Sequence, residues 1–129
     1  MKCVLSGEIV KSGGVELVAM SLQSLDIPEG KRRAIEAFVR ELRERYGERV
    51  KRVILFGSVA RGDYHEESDI DVLVIADEVD LRDISRIATR ILLRHGEVIS
   101  PIVRSEEDFQ ARKAFSFYRA VMEEGVKLA

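Results

Sequence analysis

Apolar positions recur at helical spacing in two long stretches and as near-continuous runs in two short ones, and these four segments frame the chain. Ile35, Phe38, Val39, Leu42 and Tyr46 fall on one helical face. Asp26 and Pro28-Glu29 act as start signals and Gly47 as the stop, so a helix is predicted over 30–46. Lys51 to Phe56 and Asp69 to Ile75 are strands whose unbroken apolar character is expected of a sheet covered by helices. Asp80 opens a second helix that buries Leu81, Ile84, Ala88, Ile91 and Leu92 and ends at Gly96. Glu97 to Val103 is a further strand, and Pro101, which has no N–H to donate, assigns it to an edge or a bulge. Ser105, followed by Glu106, Glu107 and Asp108, begins another helix, because acids complement the positive end of the helix dipole. Ser116 to Glu124 forms the last, with Phe117, Tyr118, Val121 and Met122 on its apolar side and Gly125 at the stop. The pattern describes an α+β fold, a small mixed β-sheet with helices packed behind it.

The 129 residues suffice for one ordinary domain with a real core, so 1–129 is expected to be a single domain in which 1–27 is an N-terminal extension. That extension has two readings. Lys2 to Val10 and Val15 to Met20 around Ser12-Gly13-Gly14 fit a hairpin, while Val15, Val18, Leu22 and Leu25 fit one helical face. An edge extension of the sheet, or a homodimer contact, is the expected role. Ser6-Gly7-Glu8 interrupts the first apolar stretch, which is too short for a signal peptide, and no run is long enough to span a membrane. The single cysteine, Cys3, excludes an intramolecular disulfide and fits a cytoplasmic protein.

A formal net charge of −2, with 34% charged residues, argues against a broad nucleic-acid-binding surface. Arg82, Arg86, Arg90 and Arg94 do form a stripe at four-residue spacing. Such a stripe could meet an acidic partner, but a solvated face paired in part with Asp83 is the better account. Arg32, Arg33, Arg40, Arg43 and Arg45 are likewise interspersed with Glu36, Glu41, Glu44 and Glu48 at pairing distances. His65 and Glu67, in a polar loop, are read as solvated, and Phe109, Phe115, Phe117 and Tyr118 as core.

The chemistry concentrates between the first two strands. Residues two apart in a strand share a face, so Asp69 and Asp71 project together while Ile70 and Val72 turn inward. Their Cα atoms then stand about 6.6 Å apart, close enough to share one Mg²⁺ or a pair of ions. Gly57-Ser58 follows the apolar run Val53-Ile54-Leu55-Phe56 and precedes Val59-Ala60-Arg61, which fits a short helical turn. Glycine permits positive φ and close approach of a ligand, and the N–H groups of a helix start suit phosphate. Arg61 adds a positive charge.

Gly57-Ser58, ten intervening residues and then Asp69-Ile70-Asp71 resemble the signature of the DNA polymerase beta-like nucleotidyltransferases, and of their minimal nucleotidyltransferase (MNT) branch in particular. Leu55-Phe56, Ala60-Arg61-Gly62-Asp63 and Ser68 match that branch as well. The resemblance implies the nucleotidyltransferase fold and a Mg²⁺-dependent transfer of NMP, AMP from ATP, to a hydroxyl acceptor. In that scheme Asp69 and Asp71 are catalytic and hold the metal, and Gly57, Ser58 and Arg61 bind the nucleotide. It further implies an all-helical HEPN-type partner, a toxin whose tyrosine is the acceptor, with this chain as antitoxin. In active members a third carboxylate comes from a later strand, and the matching place here is Ser100. A serine hydroxyl is not a base at neutral pH without an activating partner. Glu97 is a substitute at an odd offset, hence on the opposite face. The rival expectation is a weakened nucleotide-binding or toxin-neutralising module.

Overall fold

The computed structural model describes Leu22 and residues 25–128. The two readings of the N-terminal extension therefore lie, for residues 1–21, outside the described residues, as does the homodimer contact assigned to them.

Helix α1 covers Glu29–Tyr46, and a single 3₁₀ turn, Gly47–Arg49, leads into strand β1, Val50–Phe56. A five-residue helix α2, Gly57–Arg61, follows directly, then a loop and strand β2, Ile70–Ala76. Helix α3, Leu81–His95, crosses to strand β3, Ile99–Arg104. Helices α4, Glu106–Arg112, and α5, Ser116–Glu124, precede a short return strand β4, Val126–Lys127.

Local chemistry sets these boundaries. Asp80 caps α3, its side chain accepting from the Arg82 N–H, and Gly96 ends the helix in the left-handed region at φ 72°. Ser105 caps α4 by accepting from the Asp108 N–H. Gly47 stops α1 at φ 54°. The order of strands is β3-β2-β1-β4, with β1 antiparallel to both β2 and β4 and β3 parallel to β2. Pro101 thus sits in an edge strand, where its missing N–H costs no ladder bond.

Both faces of the sheet are covered, which explains the unbroken apolar runs. Val53, Leu55, Ile70, Val72 and Val74 pack on one side against Ile35, Phe38 and Leu42 of α1 and Ile84, Ile87 and Ile91 of α3. Ile54, Leu73 and Ile75 pack on the other against Phe109 of α4 and Tyr118 and Val121 of α5. The arginine stripe is a paired outer face, with Arg82 on Asp80, Arg86 on Asp83 and Arg90 on Glu41.

Reading all four aromatics as core needs correction. Phe109 and Tyr118 are buried and meet edge to face, their centroids 5.5 Å apart. Phe115 and Phe117 are 61% and 42% exposed. Phe117 and Tyr118 are neighbours roughly 100° apart around α5, so the sheet can receive only one of them fully.

A buried cation ties the layers together. Lys31, in the first turn of α1, is 1% exposed. Its Nζ donates to Glu97 Oε1 at 2.7 Å and to the backbone oxygens of Glu66 and Ser68, each at 3.2 Å. One side chain therefore joins α1, the loop before β2 and the segment entering β3. Removing one partner of a buried pair leaves the other charge uncompensated. Lys31→Met should lower unfolding stability by about 3–5 kcal/mol in a denaturant titration. Adding Glu97→Leu to that variant should restore part of the loss, since both charges are then gone.

Candidate functional site

The site forms where β1 ends, α2 begins and β2 starts. Ile70 and Val72 are fully buried, so their neighbours Asp69 and Asp71 face the other way, toward α5. Asp71 is half-buried and Asp69 exposed. Asp71 lies opposite Phe56 in the antiparallel β1 ladder and opposite Ser100 in the parallel β3 ladder. Ser100 Oγ donates to Asp69 Oδ2 at 3.3 Å. The serine identified from sequence thus stands on the same face as both acids and in contact with one.

Gly57 turns the chain from β1 into α2 at φ 79°, a left-handed conformation that a side chain would strain. A Cβ at this position would overlap Asp71 Oδ2 and stand 3.1 Å from Asp71 Cγ. The glycine therefore brings a helix start directly against a carboxylate. No side chain caps α2, so the first-turn N–H groups have no side-chain acceptor, the condition under which such a turn suits an anion. At its other end Gly62, at φ 87°, and Asp63 both donate their N–H groups to Ser58 O, which closes the turn. Arg61 reaches from α2 to Asp63 Oδ2 and to Glu124 Oε1 on α5, both at 3.3 Å.

Burial, foremost, pushes the Asp71 carboxyl above the usual carboxylate range, and the charge of Asp69 adds to the rise while Arg61 opposes it. Two like charges held side by side, one of them partly desolvated and offset only in part by Arg61, could hold a hard divalent cation such as Mg²⁺. Among the described residues no group of three His, Cys, Asp or Glu side chains could hold a metal ion. Asp69 and Asp71 are the carboxylates that could face such an ion here.

Glu97 is not available as a third acid. It precedes β3 and is committed to Lys31. His65 and Glu67 are exposed, as read from the sequence; the His65 N–H donates to Ser68 Oγ at 2.7 Å, so the residue shapes the loop.

An open cleft of about 490 Å³ spreads from this centre, walled by Phe56, Gly57, Ser58, Arg61 and Asp71 on one side and Phe117, Ala120, Val121 and Glu124 on the other. The α5 wall was missed by sequence reasoning. Its signal was the i, i+3, i+4, i+7 spacing of those four residues, which marks one helical face but not what that face meets. Lys31 was missed because a lysine in a charged first turn reads as a surface residue.

The model of the nucleotidyltransferase domain family matches residues 35–128. A candidate protein adenylyltransferase of Methanocaldococcus jannaschii is 50% identical over 93 residues, 72% of this chain and 92% of its own length. The protein adenylyltransferase MntA of Thermococcus cleftensis is 44% identical over 45 residues, 35% of this chain and 43% of its own length. A chain from the crystal structure of a toxin-antitoxin with AMP-PNP superposes with a TM-score of 0.52 at 21% identity, covering 71% of this chain and 70% of that one, a likeness of fold. With the Gly57-Ser58 turn set against Asp69 and Asp71, and a family model matched across the sheet and its helices, the chain belongs to the nucleotidyltransferase family and is an enzyme of that class, in agreement with the minimal nucleotidyltransferase resemblance.

Proposed function

We propose that this chain is a Mg²⁺-dependent adenylyltransferase that moves AMP from ATP to a hydroxyl, the tyrosine of a HEPN-type toxin, and so serves as an antitoxin. Residues 1–129 act as one domain in this reading, with 1–27 as its extension. The observation that carries it is the close approach of Gly57 to Asp71, which joins a phosphate-binding turn to a pair of metal-binding acids. The adenylyl group is favoured by relatives named protein adenylyltransferase, and the toxin partner by the toxin-antitoxin neighbour with AMP-PNP. The HEPN identity and the tyrosine rest on the MNT resemblance.

In this scheme the first-turn N–H groups at Gly57 and Ser58, with the Ser58 hydroxyl, hold the β- and γ-phosphates, and Arg61 adds its charge. Asp69 and Asp71 hold Mg²⁺, which when bound offsets the charge that develops on the phosphates. Ser100 Oγ, donating to Asp69, fixes that carboxylate without competing for the cation. The acceptor oxygen forms a bond to the α-phosphorus and gives its proton to solvent, the bond from the α-phosphorus to the α–β bridging oxygen breaks, and pyrophosphate leaves with the electron pair. Such transfer needs positioning and charge neutralisation more than covalent participation, so two acids and a helix start supply most of it. Cys3 and the absence of a membrane-spanning helix among the described residues are compatible with a cytoplasmic location.

Ser100 favours a second reading, a weakened transferase that binds nucleotide and neutralises its partner by contact. The two readings separate on labelled ATP and Mg²⁺ with a co-purified helical partner: label on the partner supports transfer, and a stable complex with no label rejects it.

Asp71→Asn should abolish labelling, because it removes a metal-binding charge, and should raise rather than lower the thermal midpoint. The sign follows from the raised carboxyl pKa. Folding prefers the protonated form, so stability present at low pH is lost as pH rises through the folded-state value, and asparagine avoids that loss. The gain should therefore appear near neutrality and vanish in acid below the ordinary carboxylate range. Ser100→Asp, which places a carboxylate beside both acids, should increase the labelling rate by about tenfold or more if proton removal limits turnover. An unchanged rate would locate the limit in another step.

A further inference from the structure

The cleft holds one feature that phosphate and metal binding leave unused. Phe117 projects from α5 into the cleft shared with Gly57, Ser58 and Asp71 and keeps 42% of its surface exposed. Its ring is nonetheless held firmly. It meets Phe56 edge to face with centroids 5.9 Å apart at 89°, and Tyr118 at 5.3 Å and 66°. Tyr118 is itself anchored by a 2.7 Å bond from its hydroxyl to Asp108 Oδ2. An exposed aromatic ring ordinarily gains little from being fixed, whereas a fixed ring with an open side is preorganised to stack a planar ligand.

The rest of that wall narrows the ligand. Ala120, one helical turn on, keeps the surface beside the ring low, and Val121 is buried. Glu124 also lines the cleft, its charge met by Arg61 across it. The cleft thus sets a turn suited to an anion opposite a low apolar shelf that carries an exposed ring, the two kinds of surface that a nucleoside triphosphate would need.

We infer that Phe117 is the stacking platform for the nucleobase of the bound nucleotide, held in place by Phe56 and Tyr118. This rests on the assignment of Gly57 and Ser58 to the phosphates. The shelf of Phe117, Ala120 and Val121 presents no side-chain donor or acceptor to a base edge. Binding by stacking alone tolerates every base, because each has a π-face. The platform therefore supplies affinity and places the α-phosphate, and it leaves ATP and GTP bound to a similar degree.

The test compares ATP with inorganic tripolyphosphate, each with Mg²⁺, by calorimetry on the full chain and on Phe117→Ala, Phe117→Tyr and Phe115→Ala. Phe115 is 61% exposed and is not among the cleft residues, so its variant reports on loss of surface aromatic area alone. Phe117→Ala should weaken ATP about tenfold or more and leave tripolyphosphate unchanged, while Phe117→Tyr and Phe115→Ala stay within about threefold of the parent. GTP should bind the parent within about tenfold of ATP. Equal loss of ATP and tripolyphosphate in Phe117→Ala would overturn the inference, since the ring would then be shaping the cleft and not holding a base. Unchanged ATP affinity would overturn it too and leave the phosphate assignment standing. A parent chain that binds neither ligand would overturn both.

Discussion

Two of the segments that build the candidate site are set by a lysine outside the cleft. Lys31 Nζ is buried with three oxygens around it, one from Glu97 and two from the backbone of Glu66 and Ser68. An ammonium has three protons, and the cost of taking it from water is offset only when each finds an acceptor. Here all three do. The consequence is mechanical: the loop residue immediately before Asp69 and the residue three before Ser100 are fixed to the same point of α1. The two segments that bring polar groups to the site are thus set relative to one another by a single buried charge, and the sheet ladder Asp71–Ser100 continues from that setting.

The same economy appears in how the site tolerates its own charge. Two carboxylates on one strand face repel, and burial of Asp71 adds to the penalty. Gly57 approaches closely enough that no side chain could intervene, so the N–H dipoles of the α2 turn come near the acids without a covering group. The fold holds these groups in an arrangement that is unfavourable by itself. This is the usual relation between a functional site and the stability it costs.

Most of the scaffold was legible in the sequence because its signals are local. Helical spacing, the caps at Asp80 and Ser105, the glycine stops at Gly47 and Gly96 and the edge position of Pro101 each depend on a few neighbouring residues. The shared face of Asp69 and Asp71 followed from strand parity, and the place of Ser100 from the family resemblance. What was not legible depends on packing between distant segments. Nothing near Lys31 distinguishes it from Arg32 and Arg33, which pair with Glu29 at the surface, and its partners lie 35 to 66 residues away. Phe117 failed for a related reason. Hydrophobicity marks Phe117 and Tyr118 alike, and only the position of α5 on the sheet decides that Tyr118 turns in and Phe117 out.

The Lys31 pair also withholds one acid from the site. Glu97 and Ser100 belong to the same segment, and a carboxylate is present there, but it is spent on Lys31 at 2.7 Å. Turning Glu97 toward Asp71 would leave the ammonium buried without its counter-charge, a loss comparable to breaking any buried pair. Strand parity opposes the move independently, since an odd offset sets the two side chains on opposite faces. The site therefore keeps Asp69 and Asp71 as its neighbouring pair of acids. A carboxylate at position 100 would stand beside both acids and add to their mutual repulsion, which serine avoids. Ser100 thus gives up proton-accepting capacity and spares the site a third like charge. The same chain then resolves its two carboxylate needs in two places, one inside the Lys31 pair and one at the cleft.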